Sequence, residues 1–298
     1  MKIIILGYSS FTGKAISSYF SSMDGVELVY VGRKDSGLCN VIKFEVASDA
    51  ELVDSDVADL ITRLNLDDES ILINCISMGD VDRSEIDKNS CKIQNYQFVA
   101  TLYNHLKNTN FKKLIHLSTS MVYDGNNAPY DENSNCAPVN FYGATKLKAD
   151  EFLLSQEDSR VMVVRPITMY GKVESEDRIN PVSMIIKNLK NHQSLKLVDD
   201  ILVNILYVGD LVKAIEKLIE INFSGLINIS GDKVYSRYSL GIEIANFLGV
   251  SEDLIESTTL TEFKTVADRP LDTSFDNTLM KRSGIHPQTL TQVIPSLL

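Results

Sequence analysis

The chain has no tryptophan, seven prolines, four cysteines and four histidines in 298 residues. Cys39, Cys75, Cys91 and Cys136 contain no Cys-x-x-Cys pair. Their spacing offers neither a zinc knuckle nor a redox dithiol, and reduced thiols in a cytoplasm are the expectation. His105, His116, His192 and His286 are scattered, so no metal site is expected. Basic residues are short: 29 Lys and Arg stand against 40 Asp and Glu, a net charge of −11. That balance argues against nucleic acid and against anionic membranes as partners. It leaves an anionic ligand open, because helix-terminal amides and a few Arg or Lys hold phosphates in acidic proteins. Long apolar runs are missing too. Ile3-Ile4-Ile5-Leu6 is too short for a signal-peptide core or a membrane span. No repeat or low-complexity tract is present.

What the chain does have is the ordinary material of a globular protein: 44% hydrophobic and 23% charged residues. Short Ile/Val/Leu-rich stretches alternate with helix-like ones. Strands are expected at 2–6, 26–31, 41–44, 70–75, 112–118 and 160–165. Helices are expected at 12–22, 50–64, 83–107, 141–156 and 179–191. Beyond residue 170 the alternation loosens, with strands near 203–207 and 226–229 and helices near 208–221 and 239–248. The pattern predicts an α/β fold of Rossmann type, a doubly wound parallel sheet with helices on both faces and a smaller C-terminal lobe. The lobes are expected at 1–170 and 171–298, interleaved and with a soft boundary.

The most informative segment is Tyr142-Gly-Ala-Thr-Lys146, with Ser118-Thr119-Ser120 lying 22–24 residues before the tyrosine. Residues four apart share one face of a helix. An ammonium one turn from a phenol favours the phenolate. A hydroxyl from a neighbouring strand can then hold a substrate oxygen against that phenol. This is a proton relay for reducing a carbonyl or oxidising an alcohol, and it needs a hydride carrier. Residues 2–13, Lys-Ile-Ile-Ile-Leu-Gly-Tyr-Ser-Ser-Phe-Thr-Gly, read as a strand, a glycine turn and a helix start. Such a turn brings backbone amides to a pyrophosphate.

Together these segments resemble the extended short-chain dehydrogenase/reductase family, and within it the dTDP-4-dehydrorhamnose reductase branch. Supporting segments run from Ile73-Asn74-Cys75-Ile76-Ser77 and Val81-Asp82-Arg83-Ser84-Glu85 through His116 to Gly125. They continue with Pro129-Tyr130-Asp131-Glu132, Val164-Arg165-Pro166 and Asp268-Arg269-Pro270-Leu271-Asp272. The resemblance implies that Tyr142 donates a proton to a carbonyl, that Lys146 binds the nicotinamide ribose and lowers the tyrosine pKa, and that Thr119 is the catalytic hydroxyl, with Ser118 and Ser120 as alternatives. It implies a cofactor site at Gly7, Ser10, Phe11, Thr12 and Gly13, with Ser10 in the place of the family's middle glycine. Asn74, Cys75, Ile76, Ser118, Arg165 and Pro166 would also line it. Arg33, where an NAD site carries an acid, points to the 2′-phosphate of NADPH, with Asp35 keeping NADH open. Asn95 is either a support of the active-site backbone or a polar residue on a helix surface.

Ser120, Met121, Tyr142, Asn180 and Arg269 are the expected substrate contacts. Tyr123, Tyr130, Tyr170 and Tyr207 could stack on base or sugar, and Asp199-Asp200 either lines the substrate lobe or forms an exposed turn. The related dehydratases carry Asp-Glu after the catalytic hydroxyl, whereas Ser120-Met121 stand here, so hydride and proton transfer without elimination is expected. The resemblance therefore implies an NADPH-dependent reductase of a nucleotide-linked 4-keto-6-deoxy sugar. Two alternatives stay open: an NAD-dependent UDP-sugar 4-epimerase, and a non-catalytic nucleotide-binding regulatory subunit. A homodimer through helices 83–107 and 141–156 is compatible with Ile93, Phe98, Val99, Leu102 and Leu106, as is core burial.

Overall fold

The computed structural model describes residues 1–33, 37–46, 54–174 and 179–298. In chain order the first half runs β1 (Lys2–Leu6), α1 (Phe11–Phe20), β2 (Glu27–Gly32), β3 (Val41–Lys43), α2 (Asp54–Leu64), β4 (Ser70–Asn74), α3 (Val81–Ile86), α4 (Lys88–Lys92), α5 (Phe98–Leu106), β5 (Lys113–Leu117), α6 (Phe141–Leu154) and β6 (Val161–Pro166). The second half runs β7 (Met169–Tyr170), α7 (Pro181–Lys190), β8 (Leu195–Val198), β9 (Leu206–Tyr207), α8 (Val208–Glu220), β10 (Gly225–Ile229), α9 (Arg237–Leu248), β11 (Ile255–Thr258), α10 (Thr278–Arg282) and α11 (Leu290–Leu297). The chain forms two compact units. One is Met1–Val122, Pro138–Arg165 and Asn222–Ile227; the other is Tyr123–Ala137, Pro166–Ile221 and Asn228–Leu298.

The first unit is built on the expected parallel sheet, with strand order β10-β6-β5-β4-β1-β2-β3. Every residue of β1, β4, β5 and β6 is buried. Strands covered on both faces must be apolar throughout, which is why they read as continuous runs and not as alternations. β1 pairs in parallel with β2 on one side and β4 on the other. The order reverses between β1 and β4, and in doubly wound sheets the crevice at such a switch point binds ligands. Leu6 pairs with Asn74, so the turns after β1 and β4 leave the sheet side by side.

The core beside the sheet gathers Ile4, Leu6, Val31, Leu72 and Leu114, together with Ile93, Phe98, Val99, Leu102 and Leu106. Those last five residues are therefore filled by the unit's own packing, and their apolar character is no argument for a dimer face.

The single helix expected over 83–107 is broken. Asp87 leaves helical geometry (φ −113°, ψ 70°), and its carboxylate accepts the Ser90 N–H at 3.1 Å, capping α4. A π-turn, Ile93–Gln97, then joins α4 to α5. One extra residue in a turn shifts the helix face, a device often seen at functional sites. Here it carries Asn95, fully buried.

In the second unit β7 pairs with β9 and β8 with β11. The strand expected over 203–207 shortens to two residues. Asn204 replaces the ladder with its side chain, accepting the Phe275 N–H at 3.0 Å and donating to the Phe275 carbonyl at 3.1 Å. Among the described residues no helix is long and apolar enough to cross a membrane.

Candidate functional site

Gly7 follows β1 with φ +82°, and its N–H donates to the Val31 carbonyl at 2.8 Å. That left-handed conformation suits glycine and turns the chain sharply into α1. Ser10 caps the helix: its Oγ accepts the Gly13 N–H at 3.0 Å. The hydroxyl in the middle-glycine position therefore has a structural job. Gly13 permits close passage, since a Cβ there would sit 2.4 Å from the Gly7 carbonyl oxygen. We expect Gly13→Ala to lower stability by about 1–3 kcal/mol through overpacking, read as a lower urea midpoint. An unchanged midpoint would show that the turn has room to give.

Above this turn lies a cleft of about 300 Å³, lined by Gly7, Ser10, Arg33, Cys75, Ile76 and Ser77 among others. Of the expected cofactor residues, Phe11, Thr12 and Gly13 stand in the first turn of α1. Asn74, Ser118 and Arg165 instead turn their side chains to buried partners described below. Arg33 reaches Glu45 at 3.6 Å, with both side chains largely exposed. Lys34 and Asp35 lie outside the described residues.

The side of the cleft is made by the turn after β4. Asn95 braces it: Oδ1 accepts the Met78 N–H at 2.8 Å and the Ser77 hydroxyl at 3.0 Å. Its Nδ2 donates to Met78 O at 3.3 Å and to Thr145 Oγ1 at 3.2 Å. Asn95 is thus a support of the site backbone and not a surface residue. The Ser77 hydroxyl also acts on the phenol of Tyr142, lowering its pKa.

Tyr142 and Lys146 sit on α6, which Asn140 caps by accepting the Gly143 N–H at 2.8 Å. The Thr119 hydroxyl, like that of Ser77, acts on the Tyr142 phenol and lowers its pKa. Thr119 Oγ1 accepts the Met121 N–H at 3.2 Å, which orients it. Thr119 is therefore the member of Ser118-Thr119-Ser120 beside the tyrosine. Ser118 points elsewhere, donating to Asp150 at 2.8 Å, and Ser120 is buried in a short 3₁₀ turn with Met121.

Burial raises the Tyr142 pKa above the ordinary 10.0, against the lowering effect of Thr119 and Ser77. The expected lowering by Lys146 is not what this fold produces. Lys146 is itself buried and donates to the Leu117 carbonyl at 2.6 Å, with His116 Nε2 at 3.0 Å. Desolvation draws its pKa down to about 8, opposed by Asp150, Cys75 and Cys91. Cys75 is pushed up to about 12 by burial and is an inert thiol at neutral pH.

Asp150, four residues beyond Lys146, was not singled out in the sequence. It is fully buried and accepts from Ser118 Oγ at 2.8 Å and Arg165 Nε at 2.9 Å. The 142/146/150 spacing was the available signal, since i, i+4 residues stack on one helix face. Arg165 thereby works inside the sheet's wall as the counter-charge to Asp150.

The remaining expected contacts belong to the second unit. Asn180 caps α7, accepting the Ser183 N–H at 2.9 Å and donating to Gly171 O at 2.8 Å. Arg269 donates to Ala267 O at 2.9 Å. Pro166 closes β6. Tyr123 and Tyr130 are buried and stack on each other at 4.3 Å, so neither offers a face to a base. Tyr170 is likewise buried, against Tyr207 at 5.8 Å. Asp199 accepts the Ser236 hydroxyl and Asp200 the Leu260 N–H, both capping neighbouring turns. Arg237, the first residue of α9, has a buried Nη1 without a hydrogen-bond partner, and burial draws its pKa down to about 10. Its place beside a serine cap gave no sequence signal.

Known proteins are similar to this chain in sequence and in fold. Methionine adenosyltransferase 2 subunit beta of Rattus norvegicus is 24% identical over 182 residues, 59% of this chain and 54% of that protein. The match thus spans about half of that relative's length. The dTDP-4-keto-6-deoxy-D-glucose reductase of Streptomyces niveus is 24% identical over 62% of this chain and 65% of its own. In fold, the chain resembles a dTDP-4-dehydrorhamnose reductase of Bacillus anthracis solved in complex with NADP. That likeness has a TM-score of 0.79 at 21% identity, over 99% of this chain and 98% of the other. Residues 1–298 match the family described as RmlD substrate binding domain, and the chain belongs to that family.

Proposed function

We propose that this protein is an NADPH-dependent reductase of a nucleotide-linked 4-keto-6-deoxy sugar, with Tyr142 as the proton donor. The observation that carries the reading is that the hydroxyls of Thr119 and Ser77 both act on the Tyr142 phenol, and that Ser77 lines the cleft above Gly7 and Ser10. A raised phenol pKa suits the reductive direction, because Tyr142 then keeps its proton throughout the neutral range. Ser120 and Met121 add no acid or base for elimination.

The residues present fit a dinucleotide. The Gly7–Gly13 turn leaves backbone where side chains would obstruct, at the N-terminus of α1. Arg33 at the cleft's rim would hold a 2′-phosphate. When bound, the nicotinamide would supply the hydride. Lys146 and Thr119 would orient the reacting groups, and Asn180 and Arg269 are the residues we propose for the sugar nucleotide.

Titration with NADPH and NADH, followed by assay on dTDP-4-keto-6-deoxyhexoses, tests this reading. We expect Arg33→Ala to weaken NADPH binding about 10- to 100-fold, the worth of one charge-assisted hydrogen bond, and to leave NADH little changed. Equal affinity of wild type and variant for NADPH would remove Arg33 from the site. A second reading, a nucleotide-binding subunit without turnover, draws on the match to a methionine adenosyltransferase beta subunit. Dinucleotide binding without reduction of any such ketosugar, together with a stoichiometric protein partner, would favour it.

A further inference from the structure

A cavity of about 200 Å³ lies wholly within the second unit and shares no lining residue with the cleft above Gly7. Tyr170 of β7 forms part of its wall. Glu243 of α9, Lys233 in the loop before α9 and Thr291 in the first turn of α11 form the polar remainder. Ile205 and Leu290, both buried, give it an apolar side.

The Tyr170 hydroxyl is the group that the fold leaves open. The residue is only 2% exposed, and among the described residues its hydroxyl has no hydrogen-bond partner. Tyr235, in the same wall, spends its hydroxyl on Glu243 Oε1 at 2.8 Å. Burial, and then Asp210, Tyr207 and Glu243, raise the Tyr170 pKa, so the phenol keeps its proton and remains a donor. Buried polar groups are nearly always paired, so an open one in a cavity wall points to a group from outside the chain. Water can fill such a place, and a ligand that displaces it must reproduce its hydrogen bonds.

The charges around the cavity are already matched. Lys233 pairs with Glu243, and Lys281 pairs with Asp232 at 2.9 Å. Asp210, on α8, accepts the Gln288 N–H at 2.8 Å and its side-chain amide at 2.9 Å. The start of α11 is closed by its own capping box, Thr289 with Gln292. An anion would meet Glu243 and Asp232 with their cations already engaged, and a cation would meet Lys233. A neutral ligand that both donates and accepts meets no such opposition. Tyr170 can donate to it, while Glu243 and the Thr291 hydroxyl keep lone pairs that accept from it. We propose that this cavity binds a neutral polyhydroxyl ligand of monosaccharide size, its hydroxyls on Tyr170 and Glu243 and its C–H face on Ile205 and Leu290. The volume sets the size: it is the room of roughly six or seven waters, enough for one sugar ring and too little for a nucleotide.

This site stands apart from the reductase reading, and its test uses neither NADPH nor turnover. D-glucose and D-mannose are titrated against the full chain and followed by saturation-transfer NMR. At least one should bind with a dissociation constant on the order of 1 mM, the strength that about a dozen heavy atoms of ordinary efficiency give. Tyr170→Phe removes the open donor and should weaken that binding about 3- to 10-fold, the worth of one hydrogen bond. It should do so without lowering Tm, because the hydroxyl holds no other group in the free fold. Thr291→Phe fills the cavity from an exposed position and should abolish binding. Inorganic phosphate should not displace the sugar. Absence of binding by both sugars, undiminished binding in either variant, or displacement by phosphate overturns the proposal. So does a lowered Tm in Tyr170→Phe, since a hydroxyl that supports the fold is not vacant.

Discussion

Tyr142→Phe should still bind NADPH and lose about 10²- to 10⁴-fold in ketosugar reduction, the usual worth of a positioned general acid. Phenylalanine keeps the ring that packs at the start of α6. It removes only the hydroxyl on whose pKa Thr119 and Ser77 act. A single neutral hydroxyl contributes on the order of 1 kcal/mol or less, so at most a modest fall in stability is expected beside the kinetic loss. The two are separable, because turnover is measured at saturating NADPH and well below the unfolding transition. Reduction of the same ketosugar by the variant at wild-type rate would make Tyr142 a packing residue. The pH profile gives a second handle. The Tyr142 pKa is raised above 10.0, so the phenol does not lose its proton near neutrality. Lys146 sits at about 8, and any change of rate between pH 7 and 9 should therefore follow the lysine.

Asp150→Ala should destabilise the first unit by about 3–5 kcal/mol, the usual consequence of stranding a buried charge. Asp150 is fully buried and Arg165 nearly so, with Nε and Oδ2 at 2.9 Å. Removing the carboxylate leaves a guanidinium inside the wall of β6 and takes the acceptor from Ser118. Replacing both residues by apolar ones, Asp150→Leu with Arg165→Met, should recover most of that loss, since a buried pair often exchanges neutrally for hydrophobic packing. Urea unfolding of both variants at unchanged m-value measures it. A loss under about 1 kcal/mol in the single variant would mean that water or another group replaces the carboxylate. The sign for pH also follows. Burial raises the Asp150 pKa while Arg165 and Lys146 lower it. With the upward shift winning, the fold takes up this proton before the unfolded chain does. Between the unfolded and folded pKa values Asp150 thus contributes stability as pH falls, opposite to an exposed, salt-bridged carboxylate.

Period and composition were enough for the sheet. Ile3–Leu6, Ile71–Ile73 and Val161–Val164 are apolar without interruption, and only a strand buried on both faces needs that. The Gly7–Gly13 turn and the Tyr142/Lys146 pair were equally legible, because a left-handed turn and a one-turn helical spacing are local facts. What only the tertiary structure decided is which distant groups share a dielectric. Lys146 and Tyr142 lie one turn apart in any helix, yet burial moves their pKa values, and the amine answers to His116 and Leu117 from another strand. Asn95 reads as surface or site until a π-turn carries it under the β4 turn. Tyr123 and Tyr130 read as possible stacking platforms until they close on each other. Spacing along a chain reports neighbours within a turn or two. Desolvation and hydrogen-bond partners depend on what other elements bring, and those are settled only when the sheet assembles.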